Sequence, residues 1–238
     1  MKQTPFEMNN LVHLDLYQVK RNELRIVLRN NQREIRDIQI FPEAMLLRRS
    51  KGTTPYDFGQ TLKQEDYDRF LHAAESATNR KTGLKEIIAL TNDSEEVVRY
   101  WGSIGLLLRL ADTAGSDGTQ LSAATEKLYA EIRPVVLKLR EDSSPNVKIV
   151  ASEILGRFGT ESDVDLAVKN LLILIPHGKE TDTPLTQTVL AAIDSFASRL
   201  KQYRSELEAL QNMKFSTRST ATVESLIHSI CRQVSKDH

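Results

Sequence analysis

The chain has 238 residues, 40% apolar and 27% charged, the make-up of an ordinary soluble domain long enough to bury a core. Its 32 basic and 32 acidic residues cancel, which argues against a dedicated nucleic-acid binder that relies on phosphate neutralisation. One cysteine excludes an internal disulfide framework and a cysteine-based zinc cluster, and 10 Gly with 7 Pro disfavour a turn-rich all-β chain.

No apolar run reaches the roughly 18 residues of a membrane span, and the opening "MKQTPFEMNN" lacks an apolar stretch of signal-peptide length. Taken in chain order, the first readable segment is the stretch 41–58, "FPEAMLLRRSKGTTPYDF". It carries Pro42, Gly52 and Pro55 and little helical period after Arg49, and reads as a joint laid across the surface or end of a helical stack. In 65–77, Tyr67, Phe70, Leu71, Ala74 and Ala77 recur at helical spacing. In 92–111, Asp93 and Glu96 form a start signal close to a capping box. Val97, Trp101, Ile104, Leu108 and Ala111 then define the predicted apolar face, and Gly102 and Gly105 line the next stripe. Glycine costs about 1 kcal/mol in a helix interior, so this pair points to close approach by another helix.

In 119–140 the face is Leu121, Ala124, Leu128, Ile132, Val135 and Leu139, with a kink or break expected at Pro134. The segment 160–175 is nearly apolar all round at its end and reads as deeply buried. In 219–235, Val223, Leu226, Ile227, Ile230, Cys231 and Val234 share a face. Asp93 with the stretch "SEEVVRYWGSIGLL" (94–107) returns as Asp142 with "SSPNVKIVASEILG" (143–156), and a fainter start appears in "DTPLTQTVLAAI" (182–193). A recurrence of roughly 40–50 residues is the period of two-helix solenoid units, which bury their apolar faces on one another.

Asp, then Val-Arg, then small and apolar residues, resembles the second helix of a HEAT repeat over roughly residues 65–200. The resemblance implies an all-α fold, a right-handed superhelical stack of antiparallel helix pairs. It also implies a ladder of charge pairs, with Asp93, Arg99, Asp142 and Lys148 at the matching positions. "TPFEMNNL" (4–11) resembles the Asp-Pro-Tyr-Glu-x-x-Asn-Leu stretch near the C-terminal end of the sulfatase catalytic region, with Thr4 in place of the usual Asp. In that family the stretch leads into a helix, here about 15–36, and then a segment like "DIQIFPEAMLLRR" (37–49). Some bacterial sulfatases continue into a HEAT-like tail, often with the Val-Arg-Tyr-Trp wording of 98–101. The division implied is a sulfatase-like tail at 1–60 and a helical-repeat domain at 61–238.

The sulfatase engine is absent from this chain. Cys231 in "CRQVS" lacks the Pro of the Cys/Ser-x-Pro-x-Arg motif, and no Ser-x-Pro-x-Arg occurs. The expectation is a non-catalytic accessory region of a sulfatase-family protein, packing beside a catalytic domain, shaping access or mediating assembly. A free-standing scaffold for protein partners is the alternative. The compartment would be periplasmic or secreted in the first case and cytoplasmic in the second. No cofactor, metal, nucleic acid or membrane partner is expected.

On the 15–36 helix, Arg25, Arg29, Arg33 and Arg36 are spaced +4, +4, +3 along one side, with Lys20 and Arg21 extending the basic region. A guanidinium fork suits a sulfated glycan. A solvated face or a docking face for another domain is the plainer reading, and Glu23 and Glu34 neutralise part of the row. Trp101 reads as core rather than as a sugar platform, and Arg99 as one half of a structural pair. Glu65, Asp66 and Asp68, and likewise Glu161, Asp163 and Asp165, read as complements to helix N-terminal dipoles. The histidines at 13, 72, 177, 228 and 238 are scattered, and Cys231 reads as a buried, unreactive thiol.

Overall fold

The computed structural model describes residues 11, 14–114, 121–175, 183–212 and 220–235. Among them all regular secondary structure is helical, with twelve α-helices, short 3-10 turns and no strand. After a 3-10 turn comes α1 (Gln18–Ile35), which ends where Arg36 turns left-handed at φ 50°. The predicted joint holds two short helices, α2 (Glu43–Arg49) and α3 (Pro55–Thr61). Thr54 caps α3 by accepting from the Asp57 amide, and Pro55 stands in its first turn, where the missing N–H does no harm.

The stack follows as α4 (Gln64–Thr78), α5 (Leu84–Leu90), α6 (Glu96–Ala114), α7 (Ala123–Leu139), α8 (Pro145–Phe158), α9 (Glu161–Leu174), α10 (Thr183–Asp194), α11 (Arg204–Ala209) and α12 (Thr220–Val234). Helices α6, α8, α10 and α12 pack in series, each against the next, and α4 lies against α6 at the row's leading end. The intervening helices pack on this row: α5 on α6, α7 on α6 and α8, α9 on α8 and α10, α11 on α12. Helix α1 touches the stack through α4, and α2 touches α10.

Two apolar clusters result. The larger runs from Ile87 of α5 to Val234 of α12. The smaller joins Ile40, Phe41, Met45 and Leu46 to Tyr67, Phe70 and Leu71 of α4 and to Val97 and Val98 of α6. It therefore draws side chains from both sides of residue 60. Phe41 meets Phe58 and Phe70 edge-on at 5.7 Å in both cases.

The structure shifts three expectations. Helix α7 runs through Pro134 without a break. Pro134 and Ala130, the residue whose carbonyl it leaves without a donor, are both exposed. The end of α9 is not buried all round, since Ile173 is 80% exposed while Leu171 and Ile175 are buried. On α6 the buried face is Val97, Val98, Gly102, Ser103, Gly105, Leu106 and Leu110, with Leu108 exposed, so the predicted stripe lay to one side of the true one. The glycines mark the contact itself. A Cβ at Gly102 would stand 2.8 Å from the Thr91 amide nitrogen, and one at Gly105 would stand 2.8 Å from Ile87 Cγ2.

Candidate interaction surface and charge ladder

Helix α1 has no buried residue, yet it is rich in large apolar side chains. One side is fixed to the stack by charge. The Arg33 guanidinium donates to both carboxylate oxygens of Asp68 at 2.6 and 2.7 Å, Arg29 lies 3.5 Å from Glu75, and Arg36 Nε donates to the Leu62 carbonyl at 2.8 Å. The hydrogen bonds from Arg33 hold the Asp68 carboxyl below its ordinary value and raise Arg33 in turn. Three of the four arginines in the predicted row thus meet acceptors on their own chain. Arg25 makes no ion pair among the described residues.

Away from these arginines the helix presents Leu24, Val27, Leu28 and Ile35, exposed by 58%, 64%, 56% and 51%. Leu11, Tyr17, Leu24 and Leu28 line an open groove of about 380 Å³ there, with Lys20, Arg21 and Arg25 beside them. Tyr17, Arg21, Leu24, Leu28, Asn31 and Ile35 follow a +4, +3, +4, +3, +4 spacing, the seam of a coiled coil. That signal was present in the sequence, but the arginine row on the other side drew the reading away from it.

The repeat residues come together across neighbours rather than within one unit. Arg99 on α6 donates to both oxygens of Asp142, just before α8, at 2.7 and 2.9 Å. The same guanidinium donates to the carbonyls of Asp93 and Ser94, so the expected Asp93–Arg99 relation is made through backbone. The Asp93 carboxylate instead lies 3.5 Å from Arg69 on α4, a rung that sequence reasoning missed. Burial alone would raise the Asp142 carboxyl, but hydrogen bonds from Arg99 and the Ser144 amide, with the charges of Arg99 and Lys148, bring it below the ordinary value. Lys148 contributes its charge from α8, next in the series.

The capping signal before α6 also resolves differently. Asp93 accepts from the Glu95 amide at 2.8 Å, while Glu96 is held by Arg48 of α2 at 3.1 and 2.6 Å rather than folding back. Arg49 takes Glu95 at 3.0 Å, and its guanidinium carbon lies 5.6 Å from both the Phe41 and the Phe58 ring centroids. Trp101 sits at the edge of the smaller cluster, half-buried, and its indole N–H donates to the Ile40 carbonyl at 2.8 Å.

Of the acidic residues read as dipole partners, Glu65 and Asp66 stand in the first turn of α4, while Asp68 belongs to Arg33. Asp163 does more than cap. It is fully buried, closes a capping box with Thr160, and accepts from Tyr129 Oη at 2.9 Å and Arg133 Nη2 at 2.7 Å. Asp165 accepts from Tyr203 Oη at 2.8 Å. The Cys231 thiol is buried, directed at the Leu207 carbonyl at 3.7 Å, and burial pushes its pKa up. His72 stands 3.9 Å from Glu86. Among the described residues no group of His, Cys, Asp and Glu is arranged to hold a metal ion, and no helix is long and apolar enough to cross a membrane. His13, His177, His238 and all of the 4–11 stretch except Leu11 lie outside the described residues. Comparison with family models, curated proteins and solved structures returned no match.

Proposed function

We propose that this chain is a non-catalytic helical interaction region that presents the outward face of α1 to a protein surface. We further propose that it is the C-terminal accessory region of a sulfatase-family protein, with sulfate ester hydrolysis belonging to a catalytic domain outside this chain. The observation that carries the interaction role is α1 itself. The helix is moored by arginines along one side while Leu24, Val27, Leu28 and Ile35 stand in solvent on another, an arrangement that marks interaction sites. The sulfatase assignment rests on the resemblance at residues 4–11 and 37–49, and the HEAT-like reading on the repeated Asp…Arg/Lys pattern. A right-handed superhelical stack of antiparallel pairs, as in HEAT proteins, is part of the same proposal.

Reading the DNA upstream of the Met1 codon tests the family assignment. An in-frame sulfatase catalytic region is expected, and its absence leaves the free-standing scaffold as the surviving reading. Titrations of the chain against itself and against that catalytic region, comparing wild type with Leu28→Glu, test the role of α1 with either kind of protein partner. We expect binding that weakens at least about tenfold in the variant. Turnover of a chromogenic sulfate ester by the purified chain alone would overturn the non-catalytic assignment.

A further inference from the structure

We propose that the partner of the α1 face is a second copy of this chain, its α1 packed against the first in antiparallel register; this rests on the reading of α1 as an interaction surface. The seam residues are self-complementary when the helix is turned end for end. Leu24 meets Leu28 of the second copy, Tyr17 meets its Ile35, and the polar Arg21 meets its Asn31, each pair occurring twice about a two-fold axis. A polar layer of this kind favours one register, because a one-heptad slip in either direction sets Arg21 or Asn31 against leucine.

The flanking positions agree on one edge. Lys20 lies opposite Glu34 of the second copy, again twice, and Val27 lies opposite Val27 at the centre. In the single chain Lys20 Nζ is 3.0 Å from Glu23, an exposed pair that competes only weakly. On the other edge Gln18 lies opposite Gln32, and the two Arg25 side chains meet at the centre. That like-charge contact opposes association, so the register predicts that removing the charge strengthens it. The arginines that moor α1 to α4 lie off the seam. Neither Arg33–Asp68 nor Arg29–Glu75 has to break for two copies to meet.

A parallel pairing does not fit. It would set Lys20 against Arg25 of the other chain on both edges and offer Glu34 no cation.

Sedimentation equilibrium of the full chain, with helicity checked by circular dichroism, tests the pairing. We expect a reversible dimer dissociating in the micromolar range, on the order of 10 µM, and at least about tenfold weaker in Leu24→Glu. Lys20→Glu and Glu34→Lys should each weaken it several-fold, the double variant should restore it, and Arg25→Gln should tighten it. A monomer at about 200 µM, or single charge variants that the double variant does not rescue, overturns the pairing. A monomer that still binds the upstream catalytic region through Leu28 overturns the second copy alone. A monomer with no Leu28-dependent binding to that region overturns the interaction reading as well.

Discussion

Asp163 shows how much one side chain carries in this fold. Burial alone would raise its carboxyl. Hydrogen bonds from Arg133, Tyr129 and Thr160 outweigh that and bring it from an ordinary 3.8 to about 2. The same contact, after burial, pushes the Tyr129 phenol up. A carboxyl whose native value is depressed contributes its full stabilisation above the unfolded value, and that contribution is withdrawn as pH falls through the native one. Asp163→Asn should therefore cost about 2 kcal/mol in urea unfolding at neutral pH. The difference from wild type should narrow below pH 3.8 and close near pH 2. The sequence showed half of this site. Thr160 and Asp163 stand three apart before an apolar run, a readable cap. Arg133 and Tyr129 lie at least 30 residues away, and only the packing of α7 along α8 toward the start of α9 brings them in.

At the level of single helices, most of the long elements were readable and their exact faces were not. Periodicity located α4, α6, α7, α9 and α12, because each spans at least 14 residues, long enough for the 3.6-residue repeat to register. Helices α2, α3 and α5 have 7 residues each, too few for a period, and they form because the stack holds them. On α6 the largest side chains suggested one face, but the closest packing follows the smallest. Gly102→Ala would put a methyl 2.8 Å from the Thr91 amide nitrogen and 3.0 Å from Leu90, which is backbone that cannot step aside. Alanine's better helix propensity, worth about 1 kcal/mol, should be outweighed, for a net loss of about 2 kcal/mol seen as a lowered urea midpoint with unchanged slope.

For the whole molecule, the charge pairs matter because α4, α6 and α8 pack one against the next and each pair bridges two of them. Arg69 with Asp93 ties α4 to the start of α6, and Arg99 with Asp142 ties α6 to the start of α8. The latter pair is largely buried, with 14% and 10% of the two side chains exposed. Arg99→Ala should cost about 2–3 kcal/mol by leaving Asp142 without its partner. Asp142→Ala should cost a similar amount, and the double variant less than their sum, by a coupling of about 1–2 kcal/mol in a double-mutant cycle. The recurrence in the sequence picked out Asp93, Arg99, Asp142 and Lys148, but neither Arg69 nor which neighbouring helix each side chain would reach.

The indole of Trp101 is tied through its N–H to the Ile40 carbonyl, and it is the only indole in the chain. Nature has thus placed a single optical gauge at the seam where the N-terminal strap meets the helical rows. Its emission therefore reports whether that strap is seated against the rows.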